Sequence, residues 1–124
     1  QVLNYHLGFL GNKYKVDSPF WNMSREEALF WYLEHGGKPE AIYDTMSCYG
    51  VTPNHCGKCK SCLKKVITLE YCDLDINKIK WDSDPFKWEY ISTYIQRIKN
   101  GEYNSYGQKR INPVITVMTK HGLW

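Results

Sequence analysis

The sequence predicts a small, mostly helical domain with short strands, organised around a four-cysteine zinc knuckle. Four cysteines lie within residues 48–62, three segments of the chain carry helical periodicity or capping signals, and only two short stretches look like strands. At 124 residues the chain is one domain or a part of one, and it is long enough to bury a real core.

The N-terminal quarter is expected to contain a short helix over residues 1–10 and a strand over 13–20 that a proline stops. A clearer helix follows. Ser24 and the glutamate three residues later form a capping box, and Gly36 and Gly37 end the run. Its wide apolar face predicts burial on most sides. Nearby aromatic residues are expected in the core rather than in a base-stacking platform: Phe20, Trp21 and Trp31.

Four cysteines follow the pattern Cys-x7-Cys-Gly-x-Cys-x2-Cys. Two overlapping Cys-x2-Cys steps let consecutive thiolates turn in on one ion, and the longer excursion brings a fourth from the opposite side. The set closes at four ligands with no spare position, which is typical of a structural zinc site. The predicted ligands are Cys48, Cys56, Cys59 and Cys62.

Other uses of these cysteines are open but less favoured. Disulfides suit a secreted mini-protein, whereas cysteines this close pair poorly and the total of five leaves one over. A thioredoxin-like pair needs only one Cys-x2-Cys step, and an iron–sulfur cluster would use the same ligands. His55 could replace one thiolate, although its place beside a ligand favours a position outside the coordination sphere or facing solvent. Cys72 is expected to be a small buried apolar residue.

A helix is predicted over residues 58–71, with two of the cysteines in its first turn. Its inward face is expected to comprise Leu63, Val66, Ile67 and Leu69. The same stretch is the most basic of the chain and carries Lys58, Lys60, Lys64 and Lys65. These lysines either balance the charge of about −2 that four thiolates leave on a zinc ion, or bind an anion such as phosphate. Both interpretations carry equal weight.

The C-terminal part is predicted to contain a helix, a loop and a strand. Asp84 caps the helix with Pro85 at its first position, and the apolar periodicity continues to Asn100. Residues 101–110 form a polar loop that is more often solvated than bound to a partner. The β-branched run at 113–118 predicts a short strand, and residues 120–124 a tail.

Composition narrows the choice of partners only a little. The formal net charge of +3 is modest and spread along the chain, so it does not by itself indicate nucleic-acid binding. No apolar stretch reaches the roughly 20 residues of a membrane span, and no secretory leader is recognisable. We therefore expect a cytoplasmic protein without a membrane partner. The first residue is Gln, which suggests that the sequence was processed or comes from a longer product.

Several of these segments together resemble the C-terminal half of the 7-cyano-7-deazaguanine synthases, enzymes of the queuosine and deazapurine pathways in the ATP-pyrophosphatase superfamily. The resemblance covers roughly residues 16–71. It lies in Ser-Pro-Phe at 18–20, Ser-Arg-Glu-Glu-Ala at 24–28, Met-Ser-Cys-Tyr at 46–49, and His-Cys-Gly-Lys-Cys-Lys-Ser-Cys-Leu at 55–63. It implies an α/β ancestry and a zinc ion held by the same four cysteines beside an active site.

The resemblance also implies an activity that this stretch lacks the means to perform alone. Family members adenylate 7-carboxy-7-deazaguanine and convert the carboxylate with ammonia to a nitrile, using an N-terminal Ser-Gly-Gly-x-Asp-Ser loop that grips ATP. The sequence contains no such loop, and its single Gly-Gly pair ends a helix instead of opening one. Family members commonly place an arginine after the last cysteine. Here Lys64 and Lys65 follow instead, without the bidentate guanidinium fork.

We therefore expect residues 1–72 to form the C-terminal half of a synthase-like domain and residues 73–124 a helical extension. The favoured function is the zinc-bearing portion of an ATP-dependent ligase, with zinc as a scaffold and the ATP-binding half supplied in cis or in trans. On its own the chain should not turn over ATP. The alternatives are a non-catalytic knuckle that binds a protein, and nucleic-acid binding through the four lysines. A homodimer also stays open.

Overall fold

The computed structural model describes residues 20–50 and 53–124. The helix predicted at 1–10 and nearly all of the strand predicted at 13–20 lie outside these residues. Five α-helices follow in order: α1 Arg25–Glu34, α2 Pro39–Tyr43, α3 Lys60–Tyr71, α4 Tyr90–Lys99 and α5 Gln108–Lys120. Two 3-10 helices lie in the connections between them: Ile76–Lys78 between α3 and α4, and Asn104–Tyr106 between α4 and α5. The prediction of a mostly helical chain with a cysteine cluster is confirmed.

Helix α1 begins as its capping signal predicts. The Ser24 hydroxyl accepts a hydrogen bond from the Glu27 backbone N–H at 3.2 Å. The Glu27 carboxylate lies 2.9 Å from the Lys109 ammonium and so ties the helix start to α5. Leu29 is buried, and so is Glu26, whose carboxylate accepts a hydrogen bond from the Thr68 hydroxyl.

Burial of α1 on most sides, in contrast, was a wrong prediction. Trp31 and Phe30 are about two-fifths exposed, and Trp21 is 68% exposed. Phe20 lies edge-on to Trp31 with ring centroids 5.3 Å apart, and Phe30 lies edge-on to Tyr71 of α3 at 6.1 Å. The partial exposure follows because α1 packs along one side, against α3.

Helix α3 is the centre of the molecule. Cys59 is its N-cap, one residue ahead of the first turn in which it was predicted, and Cys62 is in that turn. The four residues predicted to face inward are all buried, as α3 packs against both α1 and α5. The larger core cluster joins α3, α4 and α5 and comprises Leu63, Val66, Ile67, Phe86, Ile91, Ile95, Ile98, Ile111, Val114, Val117 and Met118. A second cluster contains Cys72, which confirms its predicted burial.

Helix α4 begins later than its sequence predicts. Asp84 does cap a turn, since its carboxylate accepts a hydrogen bond from the Phe86 N–H at 2.9 Å. Pro85 and Phe86 are buried, and the chain winds through turns before regular helix starts at Tyr90. The predicted end at Asn100 is confirmed as the C-cap.

The strand predicted at 113–118 is wrong, because these residues lie inside α5. The buried positions Ile111, Val114, Val117 and Met118 follow the spacing of one helical face and pack on α3. Tertiary burial of that face outweighs the β preference of the branched residues and the presence of Pro113 within the helix. Among the described residues the strand-like pairing amounts to one isolated parallel bridge between His55 and Trp81.

Residues on both sides of position 72 share these core clusters. The division of the chain into units 1–72 and 73–124 stays a prediction, and within the described residues the extension packs directly on the cysteine-bearing segment. No helix in the described part of the chain is long and apolar enough to cross a membrane.

Candidate metal centre

The four predicted ligand cysteines converge. Their Sγ atoms all lie within 4.8 Å of one another, and those of Cys56 and Cys62 are 3.9 Å apart. Four sulfurs bound tetrahedrally to one zinc ion at about 2.3 Å would lie about 3.8 Å from each other. All are free thiols in the structure. This soft, closed donor set can hold a metal ion, and it fits zinc in number, type and spacing.

Backbone N–H groups point at three of the sulfurs. The N–H groups of Gly50 and Cys56 donate to Cys48 Sγ at 3.1 and 3.3 Å. The Lys58 N–H donates to Cys56 Sγ at 3.4 Å, and the Cys62 N–H donates to Cys59 Sγ at 3.4 Å. These donors stabilise the thiolate form that a metal needs. The Cys59 sulfur accepts its hydrogen bond as the N-cap of α3. One residue therefore both begins the helix and offers a candidate ligand.

The thiols differ in acidity, for identifiable reasons. Hydrogen bonds from the Cys56 N–H, and less strongly from the Gly50 N–H, lower the pKa of Cys48 to about 7 despite its partial burial. Burial raises the pKa of Cys62 well above its usual range and also raises the pKa of Cys56. Cys62 is fully buried at the core end of the cluster. Metal binding therefore has to displace protons from the buried sulfurs, while Cys48 offers a thiolate near neutral pH.

Gly57 makes the tight turn between two ligands possible. Its φ of +75° lies in the left-handed region that favours glycine. A Cβ at this position would also lie 1.7 Å from the Ser83 carbonyl oxygen. The knuckle is thus pressed against the backbone of the C-terminal extension.

His55 is not among the clustered ligand atoms. It is buried, its ring lies 5.1 Å from that of Trp81, and its backbone pairs with residues 80 and 82. Its Nε2 accepts a hydrogen bond from the Lys65 ammonium at 3.2 Å, so the ring is neutral. Burial and the Lys65 charge lower the pKa of His55. The predicted position outside the coordination sphere is correct, and the side chain faces Lys65 and Trp81 rather than solvent.

The four lysines do not form one surface. Lys65 is partly buried, and its ammonium donates to the Thr45 carbonyl, to the Thr45 hydroxyl at 3.0 Å and to His55. Lys58 is exposed on the knuckle. Lys60 and Lys64 lie one turn apart on α3 and line a cleft that also involves α1, α4 and α5. Anion binding by these lysines stays a prediction, and Lys65 already has three acceptors.

Sequence reasoning missed the partners that hold the knuckle from outside. Thr45 contacts it through Lys65, and Trp81 and Ser83 contact it from positions 19 and 21 residues past Cys62. Gly57 between two ligands was the one local signal of a close backbone approach. Nothing local marks Trp81 or Thr45, because their roles depend on how the extension folds back.

A helical fold that brings four cysteine thiols together, in a set that can hold one metal ion, defines the class of the protein as a candidate metal knuckle. The family described as queuosine biosynthesis protein QueC matches residues 2–72, more than half of the chain, and the chain belongs to this family. The match confirms the resemblance seen in the motifs and ends before α4 and α5. Comparison with curated proteins and with solved structures gave no match.

Proposed function

We propose that this chain is the zinc-bearing C-terminal portion of a cytoplasmic, ATP-dependent ligase resembling 7-cyano-7-deazaguanine synthase. The complete enzyme converts a carboxylate on a 7-deazaguanine to a nitrile. The observation that carries the proposal is the QueC match over residues 2–72, which includes all four convergent thiols. The ATP-binding half, with its Ser-Gly-Gly-x-Asp-Ser loop, is supplied by another segment or another chain.

The metal centre acts in this proposal as a scaffold. When bound, zinc supplies a tetrahedral link with no open position for a substrate. Cys48 fixes the chain before the knuckle, while Cys59 and Cys62 fix the start of α3. Tyr49 stands beside the first ligand and is 87% exposed, so the knuckle presents it outward. The centre thereby sets the position of Tyr49 and the α3 lysines relative to the ATP-binding half.

An exposed apolar surface supports a missing half. Among the described residues, seven large apolar side chains are exposed, and six of them fall between positions 20 and 49. They are Phe20, Trp21, Phe30, Trp31, Met46 and Tyr49. Phe20 and Trp31 are in contact, and exposed large apolar side chains that lie together are typical of a face that packs against a partner. All six lie within the family match, where the rest of a synthase would be expected to pack.

The test is reconstitution. The chain is expressed with a segment or chain that carries Ser-Gly-Gly-x-Asp-Ser, zinc is supplied, and conversion of 7-carboxy-7-deazaguanine is followed by mass spectrometry with ATP and ammonia. We expect nitrile formation that requires both halves. Trp21→Ala should weaken assembly of the halves, whereas Leu123→Ala, at the opposite end of the chain, should not. A stable zinc-loaded complex that forms no nitrile would refute the ligase proposal.

A protein-binding module without catalysis is the second candidate, and the same exposed aromatic side of α1 favours it. Nucleic-acid binding receives less support, because the four lysines point to different places and Lys65 is engaged with Thr45 and His55. A partner that copurifies through Trp21 and lacks the ATP loop would favour the module over the ligase.

A further inference from the structure

A cleft of about 570 Å³ opens between α1, α3, α4 and α5, and none of the four clustered cysteines lines it. This volume falls within the range of small-molecule sites. Seven of its fifteen lining residues come from the extension beyond residue 72, outside the QueC match. The cleft is therefore a feature of this chain rather than of the matched portion alone.

Four cationic side chains line the cleft: Arg25, Lys60, Lys64 and Arg110. None of them has an ion-pair partner among the described residues, whereas Lys109 and Lys120 on α5 are both paired with glutamates. One carboxylate, that of Glu26, also lines the cleft, and it accepts a hydrogen bond from Thr68. Four positive charges beside one negative charge leave a net field that favours an anion.

The remaining wall is apolar and aromatic. Leu63, Ile67 and Ile111 are buried core residues that also face the cleft. Tyr90 and Tyr94 stack with ring centroids 5.7 Å apart on the α4 side, and the Lys60 ammonium lies 5.1 Å above the Tyr90 ring. Burial raises the pKa of Tyr94 to about 12, and its protonated hydroxyl can donate a hydrogen bond to a ligand in the cleft. Because Lys60 lies over Tyr90, a ligand here meets positive charge and a flat aromatic surface side by side.

We propose that this cleft binds a nucleoside monophosphate, with its phosphate at Arg25, Lys60, Lys64 and Arg110 and its base against the tyrosines and the apolar wall. The cations explain the phosphate, since guanidinium and ammonium groups are the usual phosphate partners. The apolar wall explains the ring, which inorganic phosphate lacks. The volume suits one nucleotide rather than a strand. The proposal does not depend on the ligase function.

The test is calorimetric titration of the zinc-loaded chain alone with AMP and GMP, and with guanosine and inorganic phosphate as comparisons. We expect the nucleotides to bind at least about tenfold more tightly than either fragment, since each part contributes at least one interaction of about 1.4 kcal/mol. Lys64→Gln with Arg110→Gln should weaken nucleotide binding at least about tenfold. Lys87→Gln is the matched control, because its side chain is 82% exposed and pairs with Asp84 outside the cleft.

Three results would overturn the proposal. Equal affinity for inorganic phosphate and for the nucleotides would show that the cleft has no subsite for the base. Equal affinity in the double variant and in Lys87→Gln would place binding elsewhere. Binding of a 12-nucleotide single strand without binding of AMP or GMP would indicate a nucleic-acid surface instead. Circular dichroism of each variant verifies that it is folded, and the exposed Lys64 and Arg110 make loss of the fold unexpected.

Discussion

Gly57 and Ser83 lie so close that the Ser83 peptide leaves no room for a side chain at position 57. A Cβ on Gly57 would stand 1.7 Å from the Ser83 carbonyl oxygen. Gly57 separates two metal ligands, and Ser83 belongs to the segment that leads into α4. The loop that carries the cysteines therefore packs directly on the extension. A change at this contact should alter the stability of both segments.

Gly57→Ala should lower the free energy of unfolding by at least about 3 kcal/mol. A positive φ costs a residue with a Cβ about 1–3 kcal/mol, and the collision with backbone adds to this. The loop must shift away from Ser83, so the zinc affinity should fall as well. Urea unfolding and competition with a chelator measure the two effects.

Gly36→Ala is the matched control for that experiment. Gly36 has a φ of +86°, but an added Cβ there would meet nothing within 4 Å. Gly36→Ala should pay only the cost of the positive φ, about 1 kcal/mol of unfolding free energy, and keep its zinc affinity. If Gly57→Ala and Gly36→Ala lowered the free energy of unfolding equally, the close approach of Gly57 to Ser83 would not add to the cost of a side chain there.

Replacing one candidate ligand should distinguish the contribution of the metal site to stability from that of the apolar core. Cys59→Ser should lose stoichiometric zinc and several kcal/mol of stability, because metal binding here contributes to folding and the N-cap of α3 changes with it. For a domain of this size that is a fall in Tm of about 10 °C or more. Cys72→Ala, buried but remote from the cluster, should lose some packing energy and retain one zinc per chain. Full zinc and unchanged melting in Cys59→Ser would rule out a structural site.

Two adjacent lysines should behave differently when each is replaced by alanine. Lys65 donates to Thr45 and His55, so Lys65→Ala leaves the ring nitrogen of the buried His55 without its donor and should cost about 1–3 kcal/mol. Lys64 lies exposed in the cleft, so Lys64→Ala should change stability by no more than about 0.5 kcal/mol. Chemical denaturation measures both, and in the reconstituted enzyme Lys64→Ala should reduce activity. Equal destabilisation by the two changes would contradict the described contacts.

The sequence was sufficient to predict the parts of the fold that depend on local chemistry. Ser24 with its capping partner, the four thiols with their spacing, and the inward face of α3 are all visible in short windows. Their energies come from neighbours within a few residues. The convergence of the four cysteines was predictable for the same reason, since their spacing is itself the signal.

The predictions that were wrong concern segments whose structure depends on contacts between residues far apart in the sequence. Residues 113–118 read as a strand because branched residues favour one, whereas the helical face only appears when Ile111 is counted with Val114 and Val117. The aromatic side chains near α1 were expected in the core because large rings usually lie there, yet Trp21 is 68% exposed and Trp31 41% exposed. The cleft was not predictable, because Arg25 and Arg110 lie 85 positions apart and meet only in the folded chain.

High pH should destabilise the protein partly through Cys72. Burial, followed by the charges of Glu26 and Asp73, raises the pKa of Cys72 from 9.0 to about 12. The unfolded chain loses this thiol proton near pH 9 and the folded chain keeps it. The folded state therefore holds more protons between pH 9 and about 12, so this contribution is complete below pH 9 and declines above it. The slope is at most about 1.4 kcal/mol per pH unit.

Comparison with Cys72→Ala isolates this effect. The variant has no thiol at position 72, and other groups that titrate at high pH, such as Tyr94, are present in both proteins and cancel in the difference. Unfolding free energies measured from pH 7 to 11 should show the wild-type advantage shrinking above pH 9, because only the wild type gains a proton-release term on unfolding. Parallel curves over that range would mean that the Cys72 thiol ionises equally in both states, and that its hydrogen bond to the Glu26 carbonyl and its burial do not hold the proton.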